Sequence, residues 1–343
     1  MRDIRDLNLQ ELEELLLSWK ENKFHARQIF AWIYQKGVQD FSRMSDLSAG
    51  LRKMLSDNFV CGSLKLADKV TSADGTEKFL FELKDKNYIE AVNIPAYERV
   101  TACISTQAGC KFSCAFCASG LPGFKRNLTC GEILEEFAYL KDQASGGKIT
   151  NLVFMGTGEP FDNYDNVLKA IRVINADYAF YLGARHITIS TCGIIPGIEK
   201  LSKEGLQIEL SVSLHAGDDK KRSAIMPVNK KYPLRDLIEA CRKYSEATKR
   251  QVTFEYLLIK GKNSALLDAQ NLSSMLKGFR LAKVNLIPAN PVKECAIEPP
   301  ERKDVLTFRD YLLKSGINVT LRRSRGEDIQ AACGQLRLKY EKK

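Results

Sequence analysis

Three cysteines lie within eight residues of one another, in the stretch C-K-F-S-C-A-F-C. They are Cys110, Cys114 and Cys117, and they directly follow a run typical of a β-strand, so a short loop can turn all three thiols toward one centre. Three thiolates suit an iron–sulfur cluster whose fourth iron stays open to hold a substrate, whereas a closed zinc site needs a fourth ligand. Cys103 or Cys130 could supply that ligand, so zinc remains an alternative interpretation.

A glycine-rich turn follows a second strand-like run, in the stretch N-L-V-F-M-G-T-G-E-P that ends at Pro160. Glycines such as Gly158 let a backbone approach a ligand closely, and Glu159 adds a carboxylate at the turn. By itself this stretch is equally compatible with an ordinary glycine-rich turn. Together with the three cysteines it becomes a candidate ligand-binding segment.

Further candidate binding residues lie where other predicted strands end. Ser190 ends one strand, Ser213, Leu214 and His215 end the next, and Asn290 follows a later one. Side chains at the carboxyl ends of barrel strands converge on the active site, whereas a buried structural serine or histidine can sit anywhere. The shared position therefore favours one common site.

From about residue 100 onward, short β-rich runs alternate with helical stretches, which predicts repeated βα units around a parallel sheet. We predict an α/β fold of six βα units and an extra strand, preceded by a small α+β domain. The predicted strands of the βα region cover residues 101–106, 151–155, 186–191, 207–214, 251–259, 283–288 and 318–323. Ahead of them we predict helices near 9–19 and 28–36 and strands at 78–83 and 88–94.

The composition changes near residue 96, and together with a C-terminal tail this change divides the chain into three predicted parts. Residues 1–95 form an accessory domain, residues 96–326 form the βα core, and residues 327–343 form a tail. No segment between the predicted strands is of low complexity, so the parts follow one another without an evident linker.

Composition narrows the class of protein further. The 343 residues carry a net charge of +10, which favours a polyanionic partner such as nucleic acid, although a merely basic surface would look the same. We find neither a long apolar run nor a signal-like N-terminus, so we expect a cytoplasmic, monomeric protein with no membrane partner. Ten cysteines in that compartment indicate metal binding or catalysis rather than a disulfide framework.

The spacing C-x3-C-x2-C, with Phe116 before the third cysteine, resembles the cluster loop of radical S-adenosylmethionine (SAM) enzymes. The resemblance implies a partial (β/α)6 TIM-like barrel and a [4Fe-4S] cluster whose open iron binds SAM, which is cleaved to a 5′-deoxyadenosyl radical. Gly158 and Glu159 resemble the GEP motif that engages the amino group of SAM. By the same resemblance Ser190 and Asn290 contact the ribose or carboxylate of SAM, and residues 213–215 surround its adenosine.

Two further stretches resemble the RlmN/Cfr family of RNA methyltransferases: F-H-A-R-Q-I-F-A-W-I-Y-Q-K-G near the N-terminus, and R-G-E-D-I-Q-A-A-C-G-Q-L around Cys333. Taken alone, Cys333 is most simply interpreted as a buried or idle thiol with no chemical role. The resemblance runs from about residue 20 to 338 and implies that Cys333 accepts a methyl group from one SAM. A second SAM then supplies the radical that joins the methylene carbon to C2 of an adenine. Cys103 attacks the Cys333 sulfur to form a transient disulfide, which a reductant reopens, and Glu90 takes the C2 proton.

The family's substrates are an adenosine in the peptidyl-transferase centre of 23S rRNA and, in many members, the adenosine 3′ of the anticodon in some tRNAs. The electron donor is expected to be a protein such as flavodoxin or ferredoxin. Candidate phosphate contacts are basic runs at residues 125–126, 220–222, 230–231 and 322–323.

Some alternatives stay open. Pro160 favours methylation at C2, because the C8 methyltransferases of the family resemble GEA at that point. Cys192 and Ala289 depart from the serine and the bulky aromatic residue of the family, which leaves the packing around SAM open. A non-catalytic iron–sulfur module that binds RNA, and a radical SAM methylase of a small molecule, are the alternatives from other classes.

Overall fold

The computed structural model describes residues 1–144, 148–290, 297–322, 324–332 and 334–336. Cys333, the predicted methyl carrier, and Arg323 lie outside these described residues. The strands are β1 Arg2–Asp3, β2 Phe59–Val60, β3 Lys65–Thr71, β4 Glu77–Glu82, β5 Tyr88–Ala96, β6 Arg99–Cys103, β7 Gln107–Ala108, β8 Arg126–Asn127, β9 Asn151–Phe154, β10 Ile187–Thr191, β11 Glu209–Ser213, β12 Val252–Leu258, β13 Ala282–Pro288 and β14 Asn318–Leu321. The α-helices are α1 Leu9–Ser18, α2 His25–Phe30, α3 Ala49–Asn58, α4 Cys130–Gln143, α5 Tyr164–Asn175, α6 Ile195–Leu201, α7 Asp219–Ile225, α8 Leu234–Thr248, α9 Leu266–Leu276 and α10 Arg302–Lys314.

One ten-stranded mixed sheet organises the described chain, in the order β14-β13-β12-β11-β10-β9-β6-β5-β4-β3. Strands β6 and β9 to β14 pair in parallel, and helices α4 to α10 connect them. The prediction of six βα units and an extra strand is confirmed. Each predicted parallel strand overlaps an observed one with bounds within about three residues, because a strand covered by helices is a short apolar run that is easily recognised.

Three antiparallel strands extend the parallel sheet at β6. Strand β5 pairs with β6, and β4 and β3 follow outward. Strands β4 and β5 were predicted within two residues, but β3 was missed because all seven of its residues are exposed and show no alternation. The division predicted at residue 95 falls within β5, Tyr88–Ala96, whose residues pair with those of β6. The division into domains stays a prediction.

The N-terminal helices join the hydrophobic core through apolar residues. Helix α1 begins with a capping box between Asn8 and Glu11 and buries Leu12 and Leu16. The second predicted helix is α2 followed by a π-helical turn, Ala31–Gln35, and Gly37 with a φ of +67° follows it. Helix α3, which the sequence analysis did not predict, starts after the capping Ser48.

A buried ion-pair cluster fixes this N-terminal segment to helix α4. Arg5 contacts Asp3 at 3.0 Å and Glu135 at 2.8 Å, and its guanidinium is almost fully buried. Glu135 also accepts hydrogen bonds from the backbone N–H groups of Ser63 and Leu64. A buried charge without such partners would be strongly unfavourable, so these contacts fix the relative position of the two segments. Among the described residues, no helix is both long and apolar enough to cross a membrane.

Candidate active site

The loop with the three cysteines connects β6 to α4 and is shaped by its own backbone. Ser113 has a φ of +49°, and Cys117 N–H donates to the Cys114 carbonyl at 3.0 Å, which folds the loop into a compact turn. Ala115 N–H donates to the Ile225 carbonyl at the end of α7. Backbone hydrogen bonds therefore hold the loop against the barrel.

A cavity of about 160 Å³, here called the cysteine cavity, collects most of the predicted site residues at the carboxyl ends of the strands. Its lining includes Cys110, Cys114, Cys117, Gly158, Glu159, Ser190, Ser213 and His215. Leu214 packs in the hydrophobic core, while its N–H donates to the Glu255 carbonyl at 3.0 Å. The common position predicted from strand ends thus holds for these side chains, and Leu214 contributes backbone alone.

The three thiols fit a metal cluster as ligands. All three line the same cavity, and burial raises the pKa of Cys110 to about 12 and that of Cys114 still further. A cation must therefore displace protons to bind thiolates there. Of the two residues proposed as a fourth zinc ligand, Cys130 begins helix α4 and Cys103 lines a different cavity. The donor set matches an iron–sulfur cluster on three thiolates better than a closed zinc site.

The glycine-rich turn requires glycine for steric reasons. Gly158 has a φ of +112°, and a Cβ there would lie 2.7 Å from the Gln107 Cβ. Glu159 is buried, and its carboxylate accepts hydrogen bonds from Cys192 N–H at 2.7 Å and Phe161 N–H at 3.0 Å. Burial raises the pKa of Glu159, and these hydrogen bonds oppose that rise. The turn therefore carries a buried carboxyl group beside the three thiols.

His215 is fixed in one orientation and one tautomer. Its backbone has a φ of +58°, and its Nδ1 accepts a hydrogen bond from Leu257 N–H at 2.9 Å. Burial lowers the pKa of His215 to about 3, so the ring is neutral and its Nε2 carries the proton. The ring packs edge-on against Phe116 of the cysteine loop, with centroids 4.6 Å apart. His215 therefore presents a single N–H donor beside that loop.

Arg222 joins the loop after β10 to the loop after β11, which carries His215. It is fully buried, and its guanidinium donates to the carbonyls of Cys192 at 2.8 Å, Ser213 at 3.0 Å and Leu214 at 3.1 Å. The prediction that Arg222 contacts phosphate is wrong, because its side chain has no access to solvent. Only the pattern of a basic run was visible in the sequence, and that pattern does not distinguish a buried arginine from an exposed one.

The residues of the other basic runs differ in how far they are exposed for contact with phosphate. Arg126 is held by Asp85 and Glu132, and Lys221 by the buried Asp268. The exposed residues of these runs are Lys125, Lys220, Lys230 and Lys231. Those four remain the better candidates for phosphate contacts.

A second cavity of about 570 Å³, here called the barrel cavity, adjoins the first. Cys103 and Asn290 line it, so the structure places these two predicted residues beside the barrel cavity. The two cavities share Met155, Glu255, Ile287 and Arg322 in their linings. They are therefore adjacent compartments of one site.

Glu90 lies on β5 with a buried side chain that forms an ion pair with Lys78 at 3.2 Å. The Lys78 ammonium also donates to the carbonyl of Gln330 in the tail at 3.3 Å. Asp328 of the tail accepts hydrogen bonds from Ser72 Oγ and Ala73 N–H. The sequence analysis missed Lys78, because only the pairing of β4 with β5 brings it beside Glu90.

The described tail residues on either side of Cys333 touch both compartments. Ala331 and Ala332 line the barrel cavity, and Gly334 lines the cysteine cavity. Ala118 N–H donates to the Gly334 carbonyl at 2.8 Å, which ties the tail to the cysteine loop. No disulfide bond joins two of the described cysteines.

This fold and this site define a radical SAM protein. The sequence model of the Radical SAM superfamily matches residues 104–269, and that of the ribosomal RNA large subunit methyltransferase N-terminal domain matches residues 2–61. A "Probable dual-specificity RNA methyltransferase RlmN" from Clostridium perfringens (strain SM101 / Type A) is 46% identical over 343 residues, covering 100% of this chain and 98% of that protein.

Two further relatives agree. A protein of the same printed name from Caldanaerobacter subterraneus subsp. tengcongensis is 46% identical over 100% of this chain and 99% of its own length. The crystal structure of a radical SAM methyltransferase from Sphaerobacter thermophilus has a TM-score of 0.94 and 41% identity, and the match covers 98% of this chain and 99% of that chain. The chain belongs to the RlmN family of radical SAM RNA methyltransferases.

Proposed function

We propose that this protein methylates C2 of the adenosine in the peptidyl-transferase centre of 23S rRNA, and of the adenosine 3′ of the anticodon in some tRNAs. One observation carries the proposal: two adjoining cavities, one lined by Cys110, Cys114 and Cys117 and the other by Cys103, are both lined by tail residues that flank Cys333. A radical methyl transfer through two separate thiols needs such an arrangement. The basic chain suits an RNA substrate, and we place its work in the cytoplasm.

The cysteine cavity is proposed to hold the cofactors. Cys110, Cys114 and Cys117 would hold a [4Fe-4S] cluster, and Glu159 and His215 would orient SAM. When bound, the cluster and SAM supply the methyl group and the radical that activates it. The backbone bonds of the Glu159 carboxylate and the fixed tautomer of His215 pre-organise this side of the site.

The thiols are proposed to carry the methyl group in turn. Cys333 takes a methyl group on sulfur, and two SAM molecules are used in each turnover. After its methylene carbon is joined to C2 of the adenine, the radical adduct passes one electron to a one-electron acceptor, such as an oxidised flavodoxin-like or ferredoxin-like protein, and Glu90 accepts the C2 proton, which restores the aromatic ring. The ion pair between the Lys78 ammonium and Glu90, at 3.2 Å, fixes the position of the carboxyl group for this step.

Release of the product uses the second thiol. The Cys103 thiolate attacks the Cys333 sulfur, and the electron pair of the carbon–sulfur bond passes to the methylene carbon, which takes a proton to become methyl. The disulfide between Cys103 and Cys333 is then reopened by a two-electron dithiol reductant. A flavodoxin-like or ferredoxin-like protein is the proposed electron donor for the radical chemistry.

The test is anaerobic reconstitution with iron and sulfide, followed by incubation with SAM, a reductant and an unmodified 23S rRNA fragment. We expect 5′-deoxyadenosine and 2-methyladenosine together. An 8-methyladenosine product would instead identify the protein as a C8 methyltransferase, contrary to the interpretation of Pro160. A Cys333→Ala variant that still methylated RNA would refute the thiol mechanism, and Cys241→Ala, a buried core cysteine, is the matched control.

A further inference from the structure

The interior of the barrel is polar where barrels of this type are usually filled with branched apolar side chains. The inward-facing residues form rows across paired strands. One row is Ser190, Ser211, Thr253 and Lys283, and the next is Ser213, Glu255, Asn285 and Thr320. All except Ser190 and Ser213 line the barrel cavity of about 570 Å³, and those two line the cysteine cavity. A polar lining of this extent fits a polar ligand rather than a packed core.

The charges around the barrel cavity indicate which ligand. Arg99 and Arg325 are the exposed cations of its lining, which also contains many neutral hydroxyl and amide side chains, the carboxyl groups of Glu209 and Glu255, and the cations Lys283 and Arg322. A nucleotide unit suits such a lining, because arginines can pair with its anionic phosphate while hydroxyl, amide and carboxyl groups can hydrogen-bond its base. The residues shared with the cysteine cavity, Glu255 among them, are those that an inserted base would reach next.

A hydrogen-bond network aims one carboxyl group at this junction. Glu255 Oε2 accepts from the Asn285 amide at 2.8 Å, and Glu255 Oε1 lies 3.3 Å from Ser211 Oγ. Asn285 Oδ1 in turn accepts from Thr320 Oγ1 at 3.0 Å. Each carboxyl oxygen can make more than one hydrogen bond, so the network fixes the group and leaves capacity on both oxygens.

We propose that the barrel cavity binds the target nucleotide of the RNA, and that Glu255 reads the Watson–Crick edge of its adenine while Asn285 positions the carboxyl group. The inference rests on the proposed function. A neutral carboxyl group has an O–H donor and a carbonyl acceptor side by side, which match N1 and the N6 amino group of adenine. Guanine carries an amino group at C2 in place of the hydrogen that the transfer replaces, so it cannot undergo the same methylation.

The burial of Glu255 shifts this carboxyl group toward the neutral form that the contact uses. Burial raises the pKa of this carboxyl group, and Arg322, Asn285, Ser211 and Lys283 oppose the rise. N1 is bonded to C2 in the adenine ring. The contact therefore holds the reacting carbon close to the compartment that contains the three thiols.

The experiment compares wild-type holoenzyme with Glu255→Leu and Glu255→Gln, on RNA fragments with adenosine or 1-deazaadenosine at the target position. 1-Deazaadenosine lacks the N1 acceptor. With adenosine, the leucine variant should lose at least about tenfold in kcat/KM, and the glutamine variant, which keeps a donor and an acceptor, should lose much less. The kcat/KM of wild type should fall by a similar factor on the deaza substrate. The kcat/KM of the leucine variant should be nearly the same on both substrates.

Several outcomes would overturn the proposal. It fails if the leucine variant methylates the adenosine RNA at the wild-type rate. It also fails if the reductions in kcat/KM caused by the leucine substitution and by the deaza substrate multiply when the two are combined. It also fails if the leucine variant loses equilibrium binding of SAM, since Glu255 would then belong to the SAM site. Glu136→Gln, which alters a buried carboxyl group that lines neither cavity, is the matched control for folding. If wild type makes no 2-methyladenosine on adenosine RNA, the proposed function itself has failed.

Discussion

Arg222 offers the sharpest test of how this site is held together. Its guanidinium donates to three backbone carbonyls in the loops after β10 and β11, and to Asn229 Oδ1 at 2.9 Å. Arg222 lies in helix α7, and the Ile225 carbonyl at the end of that helix accepts a hydrogen bond from Ala115 N–H of the cysteine loop. A single buried side chain thus links the strand-end loops to the loop that carries the thiols.

The Arg222→Met variant removes all of these donors while roughly filling the space. A buried carbonyl that loses its partner costs about 1–3 kcal/mol, and buried polar networks that lose a charged member cost about 3–5 kcal/mol in total. Unfolding entropy scales at about 2.1 cal/mol/K per residue, or about 0.7 kcal/mol/K for 343 residues. We therefore expect the melting temperature to fall by about 4–7 °C.

The assay is thermal unfolding of the apoprotein, followed by equilibrium binding of SAM to the reconstituted protein. Arg222→Lys keeps the charge and some of the donors, so its melting temperature and SAM affinity should lie between those of wild type and the methionine variant. If Arg222→Met melts within about 1 °C of wild type and binds SAM equally well, the guanidinium bonds do not organise the site and this reasoning is refuted.

Three further predictions concern other parts of the site. Lys78→Met should leave SAM binding intact but make the proposed covalent protein–RNA adduct accumulate on denaturing gels, because the tail contact at Gln330 and the cation beside Glu90, the proposed proton acceptor, are both lost. Wild-type adduct levels would contradict this. Gly158→Ala should abolish SAM binding, since its Cβ would meet atoms at 2.7 Å, whereas Gly205→Ala, at a φ of +68° and in open space, should cost only backbone strain; equal effects would remove the steric argument. Glu136→Gln should stabilise the protein increasingly as pH rises above the usual carboxyl range. Burial raises the pKa of Glu136 well above that range, so the folded state keeps a proton that the unfolded state has lost, and its stability falls with pH by up to about 1.4 kcal/mol per unit. Urea unfolding at several pH values measures this, and parallel pH dependences for the two proteins would contradict it.

The sequence predicted the parallel half of the sheet and the cysteine cavity because both depend on local signals. A helix-covered strand is a short apolar run, and the three cysteines, the glycine-rich turn and the strand-end polar residues are each contiguous in sequence. Strand β3 escaped detection because none of its residues is buried, so it has no hydrophobic pattern to read. Its place in the sheet comes from pairing with β4, which is a tertiary event.

The missed and misread residues are those whose role depends on contacts between distant segments. Lys78 acquires its role from Glu90, twelve positions away on the paired strand, and from Gln330 in the tail. Arg222 sits in a basic run and is nevertheless buried, because the loops after β10 and β11 supply the acceptors that make its burial tolerable. No pattern within either segment indicates these partners.

The antiparallel extension of the sheet therefore contributes residues to the proposed chemistry. The hairpin of β3 and β4 contributes Ser72 and Lys78, which hold the tail at Asp328 and Gln330, while β5 contributes Glu90. The cysteine loop holds the same tail from the other side through the Gly334 carbonyl. Because the described residues that flank Cys333 are tied to both the extension and the cysteine loop, we expect a change in either one to affect the proposed methyl transfer through Cys333. Substitutions in the hairpin should accordingly affect the transfer steps rather than the binding of SAM.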